Sequence, residues 1–163
     1  MEHKKYEFTG ETRELTPTTI LHRIRAVIDM PSIDVRAGDI GGWIESDSNL
    51  SHDYDAWVGG NAWVVGDARV SGNAWVGGNA RVGGNAHINS NKDFIIIGPI
   101  GSRSEFTTFH KNVDGIVCVT CGCFLGSVDE FIEAVQETHG DNRFGREYRI
   151  AAELAKAHIL EKD

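Results

Sequence analysis

The sequence has no apolar run approaching the ~18 residues that a membrane-spanning helix requires, so no transmembrane segment is expected. Its first residues, Met1-Glu2-His3-Lys4-Lys5-Tyr6, lack an apolar stretch, and neither a secretory leader nor a lipid anchor is expected. Cysteine is scarce: three residues, an odd number in a chain with no secretory signal, which argues against a structural disulfide framework. Positive charge is also short, with 16 Lys and Arg against 24 Asp and Glu, a net charge of −8. The acids concentrate in residues 31–90 and 127–163, and no basic stripe exists anywhere. Counterion release therefore provides little drive toward a phosphodiester backbone, and double-stranded DNA is not an expected ligand. These absences together suggest a cytosolic protein.

Glycine is what the chain has in excess. Ten of its 19 glycines fall between Gly41 and Gly84, where no proline occurs. A six-residue unit repeats there: Val58-Gly-Gly-Asn-Ala-Trp63, Val64-Val-Gly-Asp-Ala-Arg69, Val70-Ser-Gly-Asn-Ala-Trp75, Val76-Gly-Gly-Asn-Ala-Arg81 and Val82-Gly-Gly-Asn-Ala-His87, with Ile88 opening another. An aliphatic residue at each sixth position suits the axis of a coil, alanine suits a second inward position where only a small group fits, and Gly-Asn suits a tight corner. Three hexads per turn make a short left-handed parallel β-helix the expected architecture. Its period of 18 stacks Trp57 under Trp75, Trp63 under Arg81 and Arg69 under His87. Rungs of this kind lie ~4.8 Å apart.

Ile44 and Leu50 read as an earlier, imperfect coil. The spacing from Leu50 to Val58 is two longer than a hexad, and a loop of Ser51, His52, Asp53 and Tyr54 that bulged outward would bring Trp43 into the column of Trp63 and Arg81. Outward-facing indoles and a guanidinium are typical interface anchors. Trp43, Trp57, Trp63, Trp75 and Arg81 are therefore candidates for an oligomer interface, most simply in a homotrimer; the alternative is burial beneath the chain's own terminal segments.

The flanks have different periods. Ile20–Ile28 is β-branched and partly alternating, and predicts a strand within an N-terminal β cap over residues 1–40. The helix is assigned to 41–91 and a small α+β domain to 92–163. In the latter, Phe94–Ile97, Glu105–His110 and Ile116–Thr120 predict a three-stranded meander, with turns at Gly98-Pro99-Ile100-Gly101 and Asp114-Gly115. Ser127-Val128-Asp129-Glu130 predicts a helix start, Gly140 its end, and Asp141-Asn142 the start of a second helix over about 144–160. The buried stripes should be Val128, Phe131, Ile132 and Val135 on the first, and Tyr148, Ala151, Ala152, Ala155 and Ile159 on the second.

Several segments together resemble a known family. Tyr6–Glu11, Leu21–Ala26, Gly38–Glu45 and Asn49-Leu50-Ser51-His52 are similar to the lead-in of hexapeptide-repeat proteins common in phages and prophages of bacteria. Ile97–Arg103, Gly122–Gly126, Asp129-Glu130-Phe131 and Thr138–Asn142 resemble an uncharacterised domain often attached to them. The resemblance covers nearly the whole chain. It implies architecture, a phage origin and a place in the host bacterial cytoplasm; it carries no catalytic residue.

Three sets of residues could carry chemistry. His52 and His87 are the coil histidines that a hexapeptide-repeat acyltransferase would need, but two clean coils offer little surface for coenzyme A. Cys118, Cys121 and Cys123, with His110 or His139, have too few correctly spaced partners for zinc and read as buried thiols, so no metal and no cofactor is expected. The turn carrying Gly101, Ser102, Arg103 and Ser104, extended by Thr107, Thr108 and His110 on the next strand, has the backbone N–H groups, hydroxyls and guanidinium that bind a phosphate or carboxylate. The expected function is non-enzymatic binding by an oligomer, in a concrete version counter-defence by sequestering a host protein or a phosphorylated signal nucleotide. A virion-associated structural role and acyl transfer are the alternatives.

Overall fold

The computed structural model describes residues 3–162. The protein is mainly β, with two helices at its C-terminal end. Strands β1 (Tyr6–Thr16) and β2 (Thr19–Ala26) form an antiparallel hairpin around Pro17-Thr18. β2 has the apolar pattern that the sequence advertises, burying Leu21, Ile24 and Ala26. β1 is almost wholly polar and exposed, which is why no periodicity announces it. β3 (Ile40–Ile44) pairs antiparallel with β2, placing Trp43 opposite Arg23.

Six two-residue strands follow: β4 (Trp57–Val58), β5 (Trp63–Val64), β6 (Arg69–Val70), β7 (Trp75–Val76), β8 (Arg81–Val82) and β9 (His87–Ile88). They pair parallel in three separate ladders. Trp57 lies beside Trp75, Trp63 beside Arg81 and Arg69 beside His87, each pair 18 residues apart. The extra two residues between Leu50 and Val58 are absorbed outside the ladders, so Trp43 pairs with Trp63 and Leu50 with Val70, each 20 apart. One sheet thus runs β1-β2-β3-β5-β8, and the hairpin covers what would otherwise be the free edge of β3.

The valines of the hexads, Ile88 and the alanines from Ala56 to Ala86 are buried in one core shared with Tyr6, Ile24 and Phe94. Corner glycines recur every six residues with positive φ, and at Gly72 (φ 61°) a Cβ would fall 2.3 Å from the Asn89 carbonyl oxygen. Asn49 fixes the irregular turn. Its buried amide donates to the carbonyls of Gly66 (3.1 Å) and Ala68 (2.9 Å), and its Oδ1 accepts from the Ser46 N–H at 2.8 Å. His52 then pins the N-terminus: its ring stacks on Tyr6 at 4.1 Å, its Nδ1 accepts from the Lys5 N–H, and its Nε2 donates to Asp47. The Tyr6 hydroxyl donates to the Leu50 carbonyl at 2.8 Å. Burial lowers the Lys5 ammonium to about 8, against the attraction of Asp55 and Asp53. Burial alone would raise the Asp47 carboxyl, but hydrogen bonds from His52 and Tyr6 outweigh it and hold it below its ordinary value.

The C-terminal sheet has four strands rather than three: β10 (Phe94–Ile100), β11 (Glu105–Lys111), β12 (Val117–Cys121) and β13 (Phe124–Ser127), antiparallel and in that order. β13 was hidden by its brevity and by Gly126; the turn before it is only Gly122-Cys123. β10 runs on through Gly98-Pro99 to Ile100, so the turn begins at Gly101. Helices α1 (Val128–His139) and α2 (Arg143–Leu160) cover one face. There Phe109, Val117 and Val119 pack against Val128, Phe131, Val135, Tyr148, Ala151, Ala152, Ala155 and Ile159, with Ile132 at the margin. The opposite face meets the end of the repeats: Phe94 and Ile96 join the repeat core, the Arg81 N–H donates to Thr108 Oγ1 at 2.9 Å, and the Val113 N–H donates to the Asn85 carbonyl at 3.1 Å. The sheet therefore closes the last rung.

Both helices start on side-chain caps. Ser127 accepts from the Glu130 N–H, and Asn142 accepts from the Gly145 N–H at 3.0 Å. Asn142→Ala should destabilise the protein by about 1 kcal/mol, measured by urea unfolding. No change would mean that Asn142 is not the working cap. No helix among the described residues is long and apolar enough to cross a membrane.

Candidate functional site

Three distant parts of the chain meet in one groove of about 360 Å³, lined by Arg13, Asn61, Trp63, Asn79, Arg81, Ser104, Glu105 and Phe106. The repeat supplies its floor. Asn61 and Asn79 occupy the same place in units 18 residues apart, and Trp63 and Arg81 are ladder partners. Strand β1 brings Arg13, which pairs with Leu21 of β2. The turn between β10 and β11 brings Ser104, whose φ of 50° is held by its N–H donating to the Gly101 carbonyl at 3.2 Å.

The charge of this groove opposes that of the whole protein. Two guanidinium groups face one carboxylate, Glu105, in a chain of net charge −8. Neither the Arg13 nor the Arg81 side chain has a hydrogen bond or ion pair among the described residues. Trp63, half-buried, adds a flat apolar surface beside them. Unspent guanidinium donors, two carboxamides, a hydroxyl and an indole suit a ligand with a flat ring and an anionic group.

The residues that the sequence grouped into one anion site are divided by the structure. Ser104 is in the groove. Ser102 and Arg103 turn instead into a separate cleft of about 230 Å³, with Glu105, Cys121, Cys123, Phe124, Phe131, His139 and Tyr148. The Gly101 N–H is already given to Glu147 Oε2 at 2.8 Å, beside a carboxylate that would repel an anion. Glycine is needed at 101 because a Cβ there would lie 1.8 Å from the Tyr148 hydroxyl. Thr108 and His110 are buried on the sheet face toward the repeats, so neither reaches Arg103. Conversely, Arg13 lies in the strand that no pattern announced, and the asparagines of the hexads read only as corner formers.

The expectation of four outward tryptophans holds for Trp75, 42% exposed, and in part for Trp63. Trp43 and Trp57 are 6% and 2% exposed, because the chain's own N-terminal segment lies over them. The Arg23 guanidinium stacks above the Trp43 ring at 5.0 Å. Trp57 belongs to the main core, close enough to Gly41 that a Cβ there would approach its ring to 2.7 Å.

His52 is engaged on both ring nitrogens and has neither to offer a substrate. His87 is exposed beside Arg69. Cys118 and Cys121 do face opposite sides of β12: Cys118 lies on the repeat side, and Cys121 accepts a hydrogen bond from the Thr107 hydroxyl at 3.4 Å in the cleft of Arg103. Burial and the Glu130 carboxylate push the Cys118 thiol up despite a hydrogen bond from Asn112. Burial, with Cys121, Glu105 and Glu147 nearby, pushes the Tyr148 hydroxyl up to about 12, so it stays a neutral donor. Among the described residues no three His, Cys, Asp or Glu side chains are grouped to hold a metal. Neither a family model nor a curated protein matches this chain.

Proposed function

We propose that this chain is a non-enzymatic, oligomeric binding protein of phage type, and that it holds a phosphorylated, ring-bearing small molecule in the groove of Arg13, Trp63 and Arg81. In this reading the three ladders are the faces of one short left-handed parallel β-helix. Their 18-residue register and the positive φ at Gly60, Gly66, Gly72, Gly78 and Gly84 support that winding. The observation that carries the function is the pair of unspent guanidinium groups beside an indole in an otherwise acidic protein. A nucleotide has the matching parts: a base to stack on Trp63 and a phosphate for the arginines. Sequestration of such a signal inside a bacterial host is counter-defence without catalysis.

Calorimetry of the full chain against linear and cyclic nucleotides tests this. Arg81→Ala should weaken binding roughly 10- to 150-fold, the worth of a charge-assisted contact. Arg81→Lys should restore only part, since lysine lacks the planar fork. Arg103→Ala should leave the affinity nearly unchanged, because Arg103 faces the other cleft. Absence of micromolar binding by the wild type, or unchanged binding by Arg81→Ala, would overturn the proposal.

A structural, virion-associated role is favoured by one separate feature, the 11-residue strand β1 at the edge of its sheet, with Phe8 40% exposed. It predicts the protein in purified particles.

A further inference from the structure

A second cavity, of about 280 Å³, lies between the C-terminal sheet and the last turn of the repeats. His110 lines it from β11. Its side chain is 1% exposed, its Nε2 sits 3.3 Å from Thr120 Oγ1, and its Nδ1 is buried with no hydrogen-bond partner. A buried ring nitrogen without a partner is costly, and natural structures rarely leave one so.

The remaining lining tells which ligand would satisfy it. Glu130 is the only acid, and no lysine or arginine is present. Its carboxylate has no hydrogen bond or ion pair among the described residues, and it is held over Gly126, where a Cβ would meet Oε2 at 2.6 Å. Other polar groups are spent: Asn112 Oδ1 accepts from the Asp114 and Ile116 N–H groups, and Ser127 Oγ accepts from the Glu130 N–H. Ile116 and Leu125, 49% and 51% exposed, form an apolar rim, with Leu125 against Gly84.

We propose that this crevice binds a primary alkylammonium group, with Glu130 and His110 Nδ1 accepting its hydrogen bonds and the Ile116–Leu125 rim covering its aliphatic stem. An anion is repelled by Glu130, and a neutral alcohol has one donor for two acceptors. Burial lowers the imidazole to about 4, so it is neutral at ordinary pH and does not repel a cation. A lysine side chain of a partner protein and a free amine share this chemistry.

The probe is n-butylammonium, titrated into the full-length protein while the ring nitrogens of His110 are followed by NMR. A saturable shift at Nδ1 is expected, with n-butanol producing none at the same concentration. Glu130→Gln changes an exposed side chain, so the fold survives, and should weaken binding roughly tenfold or more. Arg81→Ala should bind butylammonium like the wild type, which separates this site from the groove. N-acetyl-lysine amide distinguishes the sources: binding comparable to butylammonium supports a partner's lysine, and its exclusion supports a free amine. Equal shifts with butanol, an unaffected Glu130→Gln variant or an unmoved His110 resonance would overturn the assignment.

Discussion

Replacing Trp57 by serine should destabilise the protein by about 3–5 kcal/mol, the usual range for truncating a buried aromatic. The same change at Trp75 should cost about 1 kcal/mol or less. The two residues are ladder partners with identical neighbours in sequence, so the contrast comes entirely from what covers them. Trp57 is 2% exposed and packed in the main core, whereas Trp75 is 42% exposed with its ring lying over Gly77. Urea unfolding of the two single variants measures the difference. Light scattering of Trp75→Ser, which should stay folded, separately tests self-association: a lower mass supports the exposed indole as an assembly contact, and an unchanged mass excludes it. Equal losses of stability at both positions would contradict the burial of Trp57.

Acid should remove about 3 kcal/mol of stability through His110 alone. Its imidazole titrates near 6.5 when unfolded and near 4 in the fold, where burial disfavours the charged form. Between those values the unfolded chain binds a proton that the folded chain refuses. The contribution is therefore intact above pH 6.5 and is lost as the pH falls toward 4. Cys118 and Glu130 share its cavity, and neither thiol nor carboxyl is its hydrogen-bond partner. Asp47 and Asp93, both held below the ordinary carboxyl value, add their own losses at lower pH. His110→Gln should flatten the decline of the denaturation midpoint between pH 6.5 and 4.5 without abolishing folding. Parallel curves for the two proteins would show that His110 does not carry it.

The repeat was readable because each unit solves the same problem six residues later. One buried valine, one alanine and one glycine of positive φ recur together, and the structure places every such valine and alanine inside. Both helices were readable for a similar reason, since caps and apolar stripes are local. Strand β1 was not, because its ladder to β2 is made by backbone groups while its side chains face solvent. The same blindness hid the groove. Arg13 is remote in sequence from Arg81, and no local pattern says that a hairpin will bring them to one place. Reading residues 101–110 as a single anion site failed for a different reason: adjacent residues in a turn and a strand point to different sides. Gly101 serves α2, Arg103 one cleft, Ser104 another, and His110 the interior.

The 18-residue register limits how the length of this protein can vary. An insertion or deletion of 18 residues among the hexads leaves every later residue on its own ladder and adds or removes one rung. A change of six residues would move each following side chain to the neighbouring ladder, and Thr108 would find a different rung in place of Arg81. Length is thus quantised, and the floor of the groove shifts with it: one added turn would set Arg13 and Ser104 a rung farther apart, so the span of the anion that fits would be counted in whole turns of the repeat.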